Sequence, residues 1–338
     1  RFNTTDVVAE FISSRSIACI TPANDPGPTP VEVTNNMQQY TSSGLTYTFD
    51  AVALLAVYPV HGPVRGGSLT TIDVDFSTAP IRNSLACIFG GIDSVAASFD
   101  STGRVTCVSP PASDSVAGAV TLSIGSSYAV CLSALLFIYE AEPALHSLFP
   151  VMGPARGGTV VAIFGSGFLS SGSLWCKFSS GTANTTQMMN SLVLARRISE
   201  TLIECTTPAS PATYSTIQLT FNGEEPASED ALMFQFNPVV MLYTVLPPRG
   251  SAAGGTPVHV TGVGFSQRAA RLNYLRCKFG NVTSVASLSA DGKELVCILP
   301  RGNPGYVSVE ISNNMNDFSK GSNLWFEYII TQLLDLTP

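Results

Sequence analysis

Charge is scarce in this sequence. Asp, Glu, Lys and Arg make up 12% of its 338 residues, about half the roughly 25% of an ordinary globular chain. Only four residues are lysine, the basic residues form no run, and the net charge is −7. That balance argues against nucleic acid or an anionic membrane surface as a partner. Long apolar runs are lacking as well. The longest, Tyr128 to Tyr139, is about a dozen residues long and holds Cys131 and Ser133, whereas a bilayer-spanning helix needs about 20 residues, so no direct membrane insertion is expected in this segment. Helical periodicity is nearly absent: only Met188 to Arg197 shows it, and that stretch is expected to be a loop with at most one helical turn.

The catalytic and metal-binding signatures are missing too. There is no C-x-x-C, and the three histidines, His61, His146 and His259, lie far apart, which leaves no zinc site. No Gly-x-Ser-x-Gly elbow occurs. The glycine-rich GSGFLSSG at Gly165 to Gly172 lacks the strand-helix context that aims amides at a pyrophosphate. Asp73 and Asp75 share one face of a strand, with Asp93 and Asp100 as further carboxylates, but without a calcium-loop spacing they read as a solvated edge. Glu224, Glu225, Glu229 and Asp230 read as a solvated hairpin tip. No catalytic residue, metal or cofactor is expected, and the chain does not read as an enzyme.

What is present is repetition. The phrase VYPVHGPVRGGSLTTIDV at Val57 to Val74 returns as LFPVMGPARGGTVVAIFGSGF at Leu148 to Phe168 and as VLPPRGSAAGGTPVHVTGVGF at Val245 to Phe265. The pairs Gly66/Gly67, Gly157/Gly158 and Gly254/Gly255 are 91 and 97 residues apart, a period that suits a bead with its own core rather than a solenoid unit. Each bead then carries one cysteine in a C-x-F context and a second before a proline turn. It closes on an alternating strand, a polar turn and an aromatic strand, clearest in VEISNNMNDFSKGSNLWFEY at Val309 to Tyr328. The same ending occurs at Val31 to Phe49, and the final TQLLDLTP repeats the opening before each Gly-Gly. The chain therefore reads as a segment of a longer polypeptide, starting partway through one bead and stopping at the threshold of another.

Short alternating stretches rich in Val, Ile, Thr, Phe and Tyr, bounded by Gly, Pro and Asn, predict β-sandwiches by themselves. At these residues the sequence also resembles a family. The order Pro-x-x-Gly-Pro-x-x-Gly-Gly-Thr, strand, Gly-x-Gly-Phe, Cys-x-Phe-Gly, Cys-x-x-Pro and final aromatic strand is similar to the IPT/TIG domain. The resemblance implies an all-β fold of tandem immunoglobulin-like β-sandwiches of the IPT/TIG, E-set type, arranged as a rod, and an interaction or spacer role rather than chemistry. It divides the chain into the C-terminal part of one domain at 1–50, domains at 52–140, 144–236 and 240–328, and the start of a further one at 329–338. The second copy departs from the pattern where Asp73, Val74, Asp75 and Phe76 replace the glycines, so the resemblance leaves its strand-end bulge open.

The eight cysteines sort against the repeat. Cys87 with Cys107, Cys176 with Cys205, and Cys277 with Cys297 occupy the same two positions in their beads and are expected to be disulfides. Cys19 sits at the second position of the truncated bead, so its partner is expected before Arg1. Cys131 is left over, either a buried free thiol or an intermolecular bond. Asn3, Asn184 and Asn281 head N-x-S/T sequons. Together these features indicate an extracellular or cell-surface chain with attached glycans whose partners are other protein chains, by self-assembly or with an extracellular partner. The uncharged stretch Val116 to Ala134 is a candidate lateral contact. The leading expectation is a fibre, surface-appendage or matrix component with the beads as spacers; the second is a plexin-like receptor or adhesin ectodomain that binds a protein or glycan.

Overall fold

In a computed structural model the described residues are 1–22, 24–49, 52–76, 85–90, 93–112, 118–125, 135–168, 174–181, 188–321 and 323–330. The chain forms two compact units, Arg1–Ala141 and Glu142–Pro338. Both are built of strands, as the alternating sequence demands, and the beads are immunoglobulin-like β-sandwiches in tandem.

In the first unit, residues 1–49 form a hairpin of Ala9–Ser13 with Ser16–Cys19 and a second pair of Gly27–Pro30 with Thr46–Phe49. Phe2 is buried between Tyr47 and Phe49, with ring centroids 5.8 and 6.0 Å away and edges turned to faces. The second bead has a four-stranded sheet, in the order Ser98–Phe99, Val105–Val108, Leu69–Phe76, Val52–Tyr58. It packs against a five-stranded one, in the order His61–Pro63, Leu135–Glu140, Gly118–Gly125, Ala86–Phe89, Asp93–Ala96. Alternation puts Ile72, Val105 and Cys107 of one sheet and Cys87, Phe89 and Phe137 of the other into one core.

In the second unit the third bead repeats this plan. One sheet runs Ala144–Phe149, Val160–Ser166, Leu202–Thr206, Arg196–Ser199, the other Met152–Pro154, Leu232–Asn237, Tyr214–Thr220, Trp175–Gly181, Met188–Leu194. In the fourth bead the two sheets join, because Val282–Leu288 pairs through its first half with Arg276–Phe279 and through its second half with Glu294–Ile298. In all three beads the opening strand ends at a cis X-Pro bond, at Pro59, Pro150 and Pro247. After one further residue, three residues, His61–Pro63, Met152–Pro154 and Arg249–Ser251, cross to the other sheet and lie parallel to the bead's last strand.

Two sequence expectations change, and one open point is answered. Met188 to Arg197 is not a loop or a helical turn: Met188–Leu194 is a strand paired with Trp175–Gly181, and Arg196–Ser199 begins the next. Its exposure alternates residue by residue from Asn190 to Ala195, a period of two that the spacing of its large side chains concealed. A short helix, Gln267–Arg271, went unseen; Ser266 caps it by accepting from the Ala269 N–H, and Ala269 is buried. The bulge is kept in the second bead. Its register shifts between Leu54 and Ala56 as the others shift between Leu145 and Ser147 and between Leu242 and Thr244, with Val74 half-buried opposite Leu54.

Candidate functional site

The structure brings the sequence-selected cysteines together in pairs. Cys87 bonds Cys107, Cys176 bonds Cys205 and Cys277 bonds Cys297, with Cα atoms 6.4, 6.4 and 6.2 Å apart. Each bond ties one sheet of a sandwich to the other. Cys19 is a free, exposed thiol. Cys131 and Asn184 lie outside the described residues, as does the Val116 to Ala134 stretch apart from the strand Gly118–Gly125. Asn3 and Asn281 are both exposed. Among the described residues no group of three His, Cys, Asp or Glu side chains converges. Asp73 and Asp100 face the chain's own cation instead, Arg104, at 3.9 and 3.1 Å.

Two hairpin carboxylates are perturbed. Asp100 accepts from the Thr102 hydroxyl, from the Arg104 and Thr102 N–H groups and from the Arg104 guanidinium, and these bonds, the hydroxyl foremost, hold its carboxyl far below the usual range. The Ser289 hydroxyl and the Lys293 N–H lower Asp291 in the same way. A carboxyl lowered by folding contributes stability that is present above its unfolded pKa of about 3.9 and is lost as pH falls through the folded value. The melting temperature is therefore expected to fall below about pH 4, and to fall less in an Asp100→Asn, Asp291→Asn variant. Parallel pH profiles for the two proteins would refute it.

The most elaborate polar arrangement lies inside the second unit, where the third bead meets the fourth. The third bead contributes its Gly-Gly turn, Met152 to Thr159. Gly157 has φ +74°, and a Cβ there would stand 2.5 Å from the Pro208 backbone, so only glycine lets the turn lie flat on the Cys-x-x-Pro loop. A Cβ on Gly153 would lie 2.2 Å from the Thr159 hydroxyl; its absence leaves that hydroxyl room to point outward. The fourth bead contributes the hairpin Ser312 to Ser319. Asn314 organises it: its Oδ1 accepts from the Asn316 and Asp317 N–H groups and from the Ser312 hydroxyl, at 3.1, 2.8 and 3.0 Å. Met315 takes the left-handed conformation, φ 71°.

The two elements interlock. Asn314 Nδ2 donates to the Met152 carbonyl at 3.0 Å and to Asp317 at 2.7 Å. The Thr159 hydroxyl donates to Asp317 at 2.6 Å, and Arg156 donates to the Phe318 carbonyl at 3.2 Å. Asn314 is 1% exposed, and Met152, fully buried, is packed with the core of the fourth bead. Around this centre Phe149 meets Tyr274 edge to face at 5.9 Å, and Arg268 donates to Gln235 and lies 5.7 Å from the Tyr214 ring. The space left between turn and hairpin is about 20 Å³, the size of a water molecule. The arrangement can fix one bead against the next.

Sequence reasoning missed this junction, because its turn motif is not peculiar to it. Asn-Asn-Met occurs at Asn35 to Met37 and again at Asn313 to Met315.

Comparison with known proteins agrees with these sandwiches. The family model for the IPT/TIG domain matches residues 1–49, 143–236 and 239–328. The chain is 24% identical over 202 residues to Plexin-2 of Caenorhabditis briggsae, which covers 60% of this chain and 11% of that protein. It is 31% identical over 130 residues to human Plexin-A2, covering 37% of this chain and 6% of that one. Among solved structures, the full extracellular region of Plexin A4 aligns with 87% of this chain and 26% of its own, at 19% identity and a TM-score of 0.40. The chain thus spans a small part of the length of these relatives.

Proposed function

Because the chain belongs to the IPT/TIG domain family, we propose that it is part of a plexin-like receptor or adhesin ectodomain, whose beads present and orient a surface for an extracellular protein partner. The segment is extracellular or cell-surface, in keeping with three disulfides that persist only in an oxidising compartment. The similarity to plexins over 202 residues carries the reading, because that length exceeds one bead and so extends to the tandem order. The interlocked junction supports it: beads fixed against each other hold a binding surface in a set direction. The fibre or matrix role favoured by the sequence has no comparable support.

Within this reading the domains are 1–50, 52–140, 144–236, 240–328 and the beginning of another at 329–338. The second lies outside the family match but shares the sheet orders of the third. Asn3, Asn184 and Asn281 are the candidate glycan acceptors, with at least one of them occupied. Secretion of the chain from eukaryotic cells, with and without an N-glycosidase, followed by binding to an array of cell-surface protein ectodomains, tests the proposal. Saturable binding to a protein ectodomain, kept after glycan removal, is expected. No saturable binding, with regular filaments under the electron microscope, would return the reading to a fibre.

A further inference from the structure

A cavity of about 330 Å³ opens near the interlock, where the last strands of the third bead meet the helix of the fourth. That volume falls within the range of small-ligand sites, roughly 300–1,000 Å³. Tyr214, Gln235 and Asn237 line it from the third bead, and Gln267, Arg268 and Arg271 from the fourth. Both beads belong to one compact unit. The helix Gln267–Arg271 has no counterpart among the described residues of the other beads. Its spacing sets Arg271 three residues after Arg268 and four after Gln267, which puts the three on neighbouring positions of one face. The approach to the helix is fixed. Gly264, at φ +83°, lies against the connection between the beads, where a Cβ would stand 2.6 Å from the Val239 carbonyl oxygen. The buried Asn313 accepts from the Ser266 N–H at 3.1 Å and donates to the Gly264 carbonyl at 2.8 Å.

The lining offers more donors than it uses. No carboxylate lines the cavity, and among the described residues neither Arg268 nor Arg271 has an acidic partner. Arg268 donates once, to Gln235 at 3.2 Å, with its guanidinium 5.7 Å from the Tyr214 ring. Asn237 is 2% exposed, and its amide nitrogen has no hydrogen-bond partner among the described residues, a state that buried amides rarely keep unless a bound group supplies the acceptor. Two guanidiniums match a carboxylate or sulfate. The side-chain amides suit hydroxyl groups, which both donate and accept, and the half-exposed Tyr214 adds an aromatic wall. A peptide fits less well. Tyr214–Thr220 and Leu232–Asn237 each have a strand on both sides, so neither leaves an edge to which a peptide backbone could add.

We propose that this cavity binds an acidic saccharide. Arg268 and Arg271 hold the carboxylate or sulfate of one sugar, the ring lies beside Tyr214, and Asn237, with a turn of its amide, donates to a ring hydroxyl. A ligand seated there touches both beads and so stiffens their junction. With a net charge of −7 the chain as a whole repels polyanions, and binding reports the local site. The proposal does not rest on the receptor reading.

Saturation-transfer NMR on the whole chain, its N-glycans trimmed, tests it with four probes: a hyaluronan tetrasaccharide, a heparin tetrasaccharide, neutral chitotetraose and tetraglutamate. At least one acidic tetrasaccharide is expected to bind saturably and several-fold tighter than chitotetraose or tetraglutamate; binding of the heparin probe alone would assign the arginines to sulfate. Arg268→Ala with Arg271→Ala should weaken that binding at least about tenfold, the loss of one charge-assisted hydrogen bond. Arg249→Ala with Arg301→Ala, which removes the same charge from exposed positions outside the cavity, should leave it unchanged. Arg271→Glu alone gives a second reading, because Arg271 is exposed and its replacement leaves the fold intact; it should weaken binding as much as the double variant. No saturable binding at millimolar tetrasaccharide, or equal losses in the two arginine pairs, overturns the proposal. Tetraglutamate binding as tightly as the sugars would give the site to an acidic peptide and overturn it as well.

Discussion

Replacing Cys277 and Cys297 together by alanine is expected to destabilise the fourth bead by about 3 kcal/mol, which for the third and fourth beads unfolding as one unit is a fall in melting temperature of about 9 °C. Both cysteines are fully buried. They join Arg276–Phe279 of one sheet to Glu294–Ile298 of the other across a separation of 20 residues. Without the bond the unfolded chain regains the freedom that this loop closure removes, while the folded core loses only two small sulfur side chains. The loss is a large share of the total for a domain whose net stability is about 5–15 kcal/mol. The comparison must be made with both residues replaced, because a single alanine leaves a thiol that can pair with Cys19 or Cys131. Urea unfolding of the whole chain, followed at Trp325, measures the effect. A loss under about 1 kcal/mol would mean that the core, from Val258 to Phe326, is sufficient without the bond.

Much of this was legible in the sequence, for identifiable reasons. Gly-Gly turns, cysteine positions and aromatic closing strands are set by local backbone demands and by burial alternation, both of which leave marks on single residues. The fold class and the cysteine groups could be read from them. The Met188 to Arg197 strand could not, because its large side chains coincide with helical spacing while its alternation is carried by half-buried residues such as Ser191 and Val193. The helix at Gln267 was hidden by its length: five residues give no periodicity, and only the Ser266 cap announces it. The junction was hidden for another reason. Asn314 has the residue type of a turn, and its second bond, to a carbonyl 162 residues away, leaves no trace in the local pattern. Function was divided in the same way. Beads that recur imply an array, but a receptor and a fibre use the same bead, and only likeness to plexins over more than one bead favours the receptor.

Met152→Ala is expected to uncouple the third bead from the fourth. Met152 belongs by sequence to the third bead, on the short strand paired with Leu232–Asn237, yet its fully buried side chain is part of the fourth bead's core cluster. Truncating a buried methionine costs about 2–5 kcal/mol through lost transfer energy and the cavity left behind. Here the cost falls on an interface, so the two beads should lose their shared transition as well as stability. The chain carries its own reporters, Trp175 in the third bead and Trp325 in the fourth. With each tryptophan left alone by Phe replacement of the other, both should report one urea midpoint in the parent and separate midpoints after Met152→Ala. Coincident midpoints in the variant would show that the polar interlock of Asn314, Asp317 and Thr159 couples the beads without the buried methionine. Separate midpoints would locate the coupling in apolar burial, with the hydrogen bonds setting direction. That division suits a receptor stalk: an apolar anchor resists separation, while directional bonds to one carbonyl and one hydroxyl fix the angle at which the next bead presents its surface.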